Sequence, residues 1–209
     1  MDLTHKAVFI FNQLASEYER KFMDVSLYGD TFAVFCNAIE KENATLLEVA
    51  CGPGNITRYL LQVRPDLKIL GTDLAPNMIA IAQKNNPTAA FQLLDCREML
   101  SLKSNYDAIM CGFGLPYLSK KEAIQFIADA SKVLNPNGVL YLSTMEDDNS
   151  KSRWQKGSSG DEIFMNYHEA AYLKSALEAA QFKVIAEERK SYHYADGTPI
   201  VDLVLIAKK

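Results

Sequence analysis

The feature that most constrains the fold of this sequence is an alternation of short apolar runs with helix-like segments, which begins near residue 45. The runs have the length of β-strands, and the segments between them repeat apolar residues every three or four positions. Strands that alternate with helices pair mostly in parallel, and the helices cover both faces of the sheet. The pattern predicts an α/β fold with strands at residues 45–49, 68–72, 89–94, 106–111 and 139–143 and helices at 55–61 and 76–85.

Two further patterns mark the beginnings of later helices. Ser119 is followed three residues later by Glu122, which is typical of a capping box, in which each side chain bonds to the other residue's free amide. The helix that begins there is expected to end at the turn residues 135–138. Asn166 and Glu169 repeat the pattern and predict another capped helix before residue 180.

The carboxyl-terminal part of the chain breaks the alternation. Residues 182–187 and 200–207 are strand candidates with no helix between them. Asp196 and Gly197 tolerate positive φ, so a hairpin is the expected connection. The sequence therefore predicts a Rossmann-like, doubly wound sheet of seven mostly parallel strands with a C-terminal antiparallel hairpin strand.

The amino-terminal part is predicted to be helical, because Phe11, Leu14 and Tyr18 recur at helical spacing. Residues 146–161 are polar and are expected to form an exposed loop. A chain of 209 residues is long enough for one sizeable core and short for two. We therefore expect a single domain over residues 1–209, in which a helical cap at 1–44 covers a core at 45–209.

The composition narrows the classes of function. A formal net charge of −4 gives no general attraction to nucleic acid, so we expect no nucleic-acid partner. The four cysteines contain no Cys-x-x-Cys pair and there are three histidines, which argues against a metal site. We find neither a signal peptide nor an apolar run long enough to span a membrane, and we expect a cytoplasmic protein with no membrane partner.

The strongest candidate for a binding site is the segment at residues 46–57, where a strand ends in a glycine turn that opens a helix. Gly52 and Gly54 lack side chains, so a ligand can approach the backbone and the amides at the start of the helix. Asp73 follows Gly54 by 19 residues, at the end of the second strand. A carboxylate there can accept hydrogen bonds from both hydroxyls of a ribose. The alternative is that Asp73 only caps the next helix.

Glu48 is unusual because strand alternation places its carboxylate within the apolar run of the first strand. A buried carboxylate is costly unless it is paired. A cationic ligand or the amides of the glycine turn can pair with Glu48, and a salt bridge to a neighbouring helix is the alternative.

Together these segments resemble the class I S-adenosylmethionine-dependent methyltransferases. The matching stretches occur in the order of that family and lie at residues 48–54, 71–78, 93–96, 106–110 and 133–140. The resemblance implies S-adenosylmethionine as cofactor and methyl transfer as the reaction. It implies that Glu48, Gly52 and Gly54 hold the methionine end of the cofactor beside the Cys111 carbonyl, that Asp73 binds the ribose, and that Leu74, Met78, Asp95 and Cys96 contact the adenine.

Two other classes of function remain open at this stage. One is a nicotinamide-dependent oxidoreductase, although the third glycine of the dinucleotide motif is replaced by Thr57. The other is a noncatalytic protein that binds S-adenosylmethionine.

The acceptor is less clearly encoded than the cofactor. Residues 11–18 resemble the first helix of small-molecule methyltransferases, including those of quinone pathways, in which Tyr18 would cover the methionine end. Tyr28, Tyr117 and His193 are candidates for contact with the acceptor. Ordinary packing is the alternative for Tyr18 and Tyr28, and a surface position on the hairpin is the alternative for His193. A sulfonium is an activated methyl donor, so the sequence need not contain a catalytic dyad, and it assigns no catalytic residue. We expect a small-molecule acceptor that receives the methyl group on O, N, S or C.

Overall fold

The computed structural model describes residues 3–157, 160–193, 197 and 199–209. Within these ranges the helices are α1 (Leu3–Gln13), α2 (Ala15–Phe22), α3 (Gly29–Ala38), α4 (Asn55–Val63), α5 (Pro76–Asn85), α6 (Lys120–Val133) and α7 (Ala170–Ala179). The strands are β1 (Thr45–Val49), β2 (Lys68–Asp73), β3 (Ala90–Leu93), β4 (Tyr106–Cys111), β5 (Leu134–Met145), β6 (Arg153–Lys156), β7 (Glu162–Met165), β8 (Lys183–His193) and β9 (Pro199–Lys208).

Seven of these strands form one sheet, in the order β3-β2-β1-β4-β5-β9-β8. Neighbouring strands from β3 to β5 pair in parallel, whereas β9 is antiparallel to both β5 and β8. This confirms the predicted Rossmann-like sheet. The chain order reverses between β1 and β4, and ligands bind at the carboxyl ends of the strands on either side of such a reversal.

The core lies on both faces of this sheet because apolar side chains alternate along the strands. Leu47 of β1 and Ile109 of β4 pack towards α6 and α7, whereas Leu46 and Met110 pack towards α3 and α4. All four side chains are fully buried. Because parallel strands are covered on both faces, successive residues are apolar and the carboxyl ends of the strands remain as the free edge.

One of the two predicted helix caps is present and the other is wrong. Ser119 and Glu122 form the capping box of α6, with the Glu122 carboxylate accepting from the Ser119 amide at 2.8 Å. Helix α7 exists, but its N-cap residue is Glu169 and no side chain caps it. Asn166 directs its amide side chain to the Pro116 carbonyl at 3.1 Å instead. Its side chain therefore holds the loop after β4 rather than the start of a helix.

The expectation of an exposed loop at residues 146–161 is wrong in part, because β6 and β7 form a two-stranded antiparallel hairpin. Trp154 of β6 stacks its edge on Phe164 with ring centroids 5.6 Å apart, and the Lys6 ammonium lies 4.2 Å from the Trp154 ring. These contacts hold the hairpin against α1.

The hairpin predicted at the carboxyl-terminal end is present, and its strands are longer than expected, pairing as far as His193 and Pro199. Gly197 has the positive φ (+84°) expected of the turn, while Asp196 lies outside the described residues. No helix in the described part of the chain has the length and apolar character needed to cross a bilayer.

Candidate functional site

A pocket of about 780 Å³, including its mouth, lies at the carboxyl ends of the parallel strands. Its walls come from the loops after β1, β2, β3 and β4, and its roof comes from the amino-terminal helices. Lining residues are Thr4, Ala7, Val8, Phe11, Tyr18, Ala50, Gly52, Asp73, Leu74, Ala75, Met78, Leu94, Asp95, Cys96, Gly112, Phe113, Gly114, Tyr117 and Leu118.

The two glycines of the turn after β1 occupy different environments. Gly52 lines the pocket with φ +52°, and a Cβ there would meet only the Tyr18 ring edge, 3.9 Å away. Gly54 lies beneath the pocket as the N-cap of α4, with φ +76°. A Cβ on Gly54 would lie 2.4 Å from Asn86 Nδ2. Gly52 therefore leaves backbone open to a ligand, whereas Gly54 allows the turn to pack against α5.

Asp73 sits at the end of β2 with its carboxylate between two loops. Its Oδ2 accepts from the Gly52 amide at 2.9 Å, and its Oδ1 accepts from the Ala75 amide at 2.8 Å. Burial raises the pKa of Asp73, and these amides offset part of the rise. Asp73 thus tethers the glycine turn and caps the start of α5 while it lines the pocket. A carboxylate has about four acceptor positions, so these amides leave part of its capacity free for a ligand.

Glu48 is 1% exposed and does not line the pocket. Within the described residues, the hydroxyl of Thr57 on α4 donates a hydrogen bond to Glu48 Oε2, in place of the predicted salt bridge or loop amide. Burial raises the pKa of Glu48 to about 8, the Thr57 bond opposes that rise, and the Asp73 carboxylate adds to it. In the sequence, Thr57 stood out only because it replaces the third glycine of the dinucleotide motif. In the structure, its hydroxyl supplies a hydrogen bond to the buried carboxyl group of Glu48.

Four residues predicted to contact adenine line one end of the pocket, namely Leu74, Met78, Asp95 and Cys96. The Asp95 carboxylate accepts from Arg97 through Nε at 3.0 Å and Nη2 at 2.6 Å. Arg97 also donates from Nη1 to Glu122 at 2.8 Å. The polar edge of this end of the pocket is thereby tied to the capping box of α6.

The roof of the pocket is aromatic. Tyr18 lines it as predicted, and burial, with the Asp73 carboxylate nearby, raises the pKa of the Tyr18 hydroxyl to about 12. Phe11 stacks edge-on against Tyr18 at 5.8 Å and against Tyr117 at 5.2 Å between ring centroids. Helix α1 is anchored at its end, where Asn12 Oδ1 accepts from the backbone amide of Asn77, at the start of α5, at 2.8 Å.

Helix α1 also lines the pocket, and Thr4, Ala7 and Val8 are lining residues that the sequence did not single out, whereas Phe11 belongs to the segment that it did. Their spacing of three and four residues indicated that they share a face. The spacing alone does not show that this face of α1 covers a pocket and not the protein core.

The loop after β4 forms the wall opposite the adenine end. Cys111 is 1% exposed and lies behind this wall, whereas Gly112, Phe113 and Gly114 line it. The Phe113 amide donates to Ser143 Oγ at 2.9 Å, with Phe113 in the left-handed region at φ +60°.

The same loop is fixed from below by His168, which is fully buried. His168 Nε2 donates to the Leu115 carbonyl at 2.8 Å, while Nδ1 bonds with the Tyr172 hydroxyl. Burial lowers the pKa of His168, which favours the neutral ring. The wall that carries Phe113 and Tyr117 is therefore held by groups far from it in sequence.

Two of the three acceptor candidates do not line the pocket. Tyr28 lies behind Phe113, with ring centroids 5.3 Å apart, and its hydroxyl donates to Asp202 at 2.6 Å. His193 is exposed at the end of β8. Tyr117 is the candidate that the pocket includes. Among the described residues, no group of His, Cys, Asp and Glu side chains is arranged to hold a metal ion.

Comparison with known proteins bears on this arrangement. Residues 46–138, which contain β1 to β4, α4 to α6 and the glycine turn, match a family model described as a methyltransferase domain. The segment is similar to the methyltransferase domains that this model describes.

Curated methyltransferases are similar to this chain. The chain is 28% identical over 163 residues to malonyl-[acyl-carrier protein] O-methyltransferase of Halalkalibacterium halodurans, covering 75% of this chain and 52% of the relative. It is 33% identical over 101 residues to trans-aconitate 2-methyltransferase of Variovorax paradoxus, covering 48% of this chain and 38% of the relative. The chain thus spans about half or less of the length of these relatives.

The methyltransferase fold also extends over the whole chain. A solved structure of magnesium protoporphyrin IX methyltransferase from Synechocystis PCC 6803 with bound SAH superposes with a TM-score of 0.76. The superposition covers 100% of both chains at 15% identity, so it shows likeness of fold.

Proposed function

We propose that the protein binds S-adenosylmethionine in this pocket and transfers its methyl group to a small-molecule acceptor. The observation that supports the proposal best is that one pocket contains the bare backbone of Gly52, the Asp73 carboxylate and the apolar side chain of Met78. These are the three kinds of group that the ends of the cofactor and its ribose require. The methyltransferase domain over residues 46–138 supports the same conclusion.

The pocket residues fit the nucleoside part of the cofactor. The acceptor capacity of Asp73 that its backbone amides leave free suits the hydroxyl donors of a ribose diol. Leu74 and Met78 offer apolar surface to the faces of adenine, while the Asp95 carboxylate and the Cys96 amide are suited to its edge. We assign adenine contact to these four residues, and Arg97 then orients Asp95 through their paired bonds.

The opposite end of the pocket fits the methionine part. Gly52 presents backbone without a side chain, Tyr18 covers it, and Gly112 lies across from it. We propose that three residues support this end from beneath. Glu48 does so through its hydrogen bond with Thr57, and Gly54 does so through the glycine turn. Cys111 does so as the last residue of β4, directly before Gly112. Because α1 and α2 roof a pocket whose floor is the core, we also propose that residues 1–209 function as one domain.

The bound cofactor supplies an activated methyl group on a positively charged sulfur. The protein has to align an acceptor with that group and to exclude water, and alignment of this kind supplies roughly 7–11 kcal/mol. Phe11, Tyr18 and Tyr117 close the roof with ring-to-ring contacts, which is suited to excluding water. No proton-transfer residue is needed for an acceptor that attacks without losing a proton.

Titration calorimetry with S-adenosylmethionine and S-adenosylhomocysteine tests the proposal. Asp73→Ala removes two charge-assisted hydrogen bonds to the ribose, so we expect affinity to fall by about 100-fold or more. Because Asp73 also holds the Gly52 and Ala75 amides, Asp73→Asn is measured in parallel, and circular dichroism checks that each variant is folded. Glu178→Ala, an exposed acid on α7, is the matched control and should bind as the wild type does.

Two results would contradict the proposal. Absence of binding heat with either cofactor form would reject the function, and a folded Asp73→Ala variant with unchanged affinity would reject the ribose assignment. Binding of NADH in place of S-adenosylmethionine would favour the oxidoreductase. A protein that binds the cofactor but transfers no methyl group to a broad acceptor panel would be a noncatalytic binder.

A further inference from the structure

Residues 166–168 connect parts of the structure that lie far apart in sequence. They follow β7 directly and precede α7. The backbone amide of Asn166 donates to the Pro116 carbonyl at 2.8 Å, and its side-chain amide donates to the same oxygen at 3.1 Å. His168 Nε2 donates to the Leu115 carbonyl at 2.8 Å. Both ends of this linking segment are therefore hydrogen-bonded to the loop after β4.

The loop that accepts these bonds carries part of the pocket wall. Residues Leu115–Tyr117 form a single turn of 3-10 helix, which we call the wall turn. Tyr117, its last residue, lines the pocket and lies edge-on to Phe11 of α1, with ring centroids 5.2 Å apart. Phe11 also contacts the Tyr18 ring, at 5.8 Å between centroids. A displacement of the wall turn would therefore separate the wall of the pocket from its aromatic roof.

The linking segment is itself held in place by its surroundings. His168 is fully buried, its Nδ1 bonds with the Tyr172 hydroxyl of α7, and its backbone amide donates to the Met145 carbonyl of β5 at 3.2 Å. The Tyr167 carbonyl accepts from Asn149 Nδ2 at 2.8 Å. Groups that shape a binding site do so accurately when the side chains behind them are fixed by packing and by hydrogen bonds of their own. The linking segment meets this condition.

The β6–β7 hairpin that precedes the linking segment contacts the roof as well. Strand β7 packs against α1, and β6 carries Trp154, whose ring lies 4.2 Å from the Lys6 ammonium of α1. These strands and the linking segment lie outside the segment at residues 46–138 that matches the family model. The wall turn and the roof helix α1 are thus both attached to the hairpin and the residues that follow it.

Resting on the proposed function, we infer that Asn166 and His168 are positioning residues for the cofactor, which keep the aromatic roof closed over S-adenosylmethionine. They do so by holding Tyr117 in contact with Phe11. Neither Asn166 nor His168 lines the pocket, so both act through the wall turn and do not touch the cofactor. Without their hydrogen bonds, a smaller fraction of the protein has wall and roof in contact. The apparent affinity for a ligand falls in proportion to the fraction that is competent to bind.

Calorimetric titration of the full chain with S-adenosylhomocysteine tests the inference, because it requires no knowledge of the acceptor. His168→Leu and Asn166→Ala each remove one side-chain donor from the wall turn, and each should weaken binding by about fivefold. His168→Gln, whose side-chain amide can donate in place of Nε2, should bind nearly as tightly as the wild type. Urea unfolding establishes that each variant is folded under the conditions of the titration.

A double-mutant cycle with Phe11→Leu shows whether the roof transmits the effect. In the Phe11→Leu background the ring contact with Tyr117 is already lost, so adding His168→Leu should change the affinity by less than about twofold. Substitutions that act independently would instead give the same loss in both backgrounds. The cycle therefore separates positioning through the roof from a general loss of stability.

Tyr141→Phe is the matched control. Tyr141 is a buried tyrosine whose hydroxyl bonds with Thr31 Oγ1 at 2.9 Å, and it does not line the pocket. Like His168→Leu, this variant loses a buried hydrogen bond, but it should bind S-adenosylhomocysteine as the wild type does. If His168→Leu does not fold, Asn166→Ala, in which the backbone bond to Pro116 remains, takes its place in the titration and in the cycle.

Four results would overturn the inference while the proposed function stands. They are wild-type affinity in the folded linking-segment variants, equal losses with and without Phe11→Leu, an equal loss in Tyr141→Phe, and a His168→Gln variant that binds as weakly as His168→Leu. Failure of the wild-type protein to bind S-adenosylhomocysteine or S-adenosylmethionine would instead overturn the proposed function itself.

Discussion

Replacing Glu48 by glutamine should change how the stability of the ligand-free protein depends on pH. Burial raises the pKa of Glu48 from 4.5 to about 8 in the folded protein, against the opposing bond from Thr57. The folded state therefore holds a proton that the unfolded chain releases. This proton stabilises the fold fully below pH 4.5, and the stabilisation is lost as the pH rises towards about 8.

The size of the effect follows from the shift. Each pKa unit corresponds to about 1.4 kcal/mol, so the contribution of Glu48 to the free energy of unfolding should fall by roughly 3 kcal/mol between about pH 5 and about pH 8. Glu48→Gln keeps the shape and an oxygen that accepts from Thr57, but it has no proton to exchange. The free energy of unfolding of the variant should therefore lack this part of the pH dependence. Relative to the wild type, the variant should become more stable as the pH rises.

Urea unfolding at about half-unit pH intervals, without cofactor, measures the difference between the two proteins. Comparing the variant with the wild type removes the contribution of Asp73, whose pKa is also raised by burial. Glu178→Gln, on the exposed face of α7, controls for loss of a surface charge and should follow the wild-type profile. Parallel pH profiles for Glu48→Gln and the wild type would refute the reasoning, because they would mean that Glu48 ionises alike in the folded and unfolded states.

Two further substitutions test the local structure around the site by urea unfolding. Gly54→Ala should cost more than about 1 kcal/mol, because its Cβ would lie 2.4 Å from Asn86 Nδ2 in addition to the strain of φ +76°. Gly160 has φ +90°, and the nearest neighbour of a Cβ built on it is 4.0 Å away, so Gly160→Ala measures the backbone strain alone. An equal loss of unfolding free energy in both variants would reject the steric clash between the new Cβ of Gly54→Ala and Asn86. Ser119→Ala should cost about 1 kcal/mol through loss of the α6 cap, whereas Ser175→Ala, a serine inside α7, should be nearly neutral; equal costs would contradict the capping role.

The sheet and the part of the pocket that we assign to the cofactor could be predicted from the sequence because their signals are local. Gly52 follows its strand directly, and Asp73 ends the next strand, so parallel pairing of β1 with β2 is sufficient to bring them together. Asp95 and Cys96 follow β3 in the same way. The order of the strands then determines the position of each group.

The remaining features depend on contacts that no local pattern encodes. Thr57 and Glu48 meet across the turn from β1 to α4, so the helix has to be placed before the pairing can be recognised. Tyr28 and Asp202 are separated by 174 positions and meet because α3 packs over β9. Asn166 resembled a helix cap because its spacing to Glu169 was correct, but the helix begins at Ala170 and Asn166 instead bonds to Pro116.

The roof formed by α1 and α2 lies outside the segment at residues 46–138 that matches the family model. Any ligand that draws binding free energy from Phe11 or Tyr18 must stabilise the docking of these helices by the same amount, since coupling free energies are reciprocal. Ligand binding in the pocket and docking of the amino-terminal helices are therefore coupled, so that each one favours the other. An excised fragment that begins at β1 would keep the strand ends that we propose bind the nucleoside and would lose that coupling.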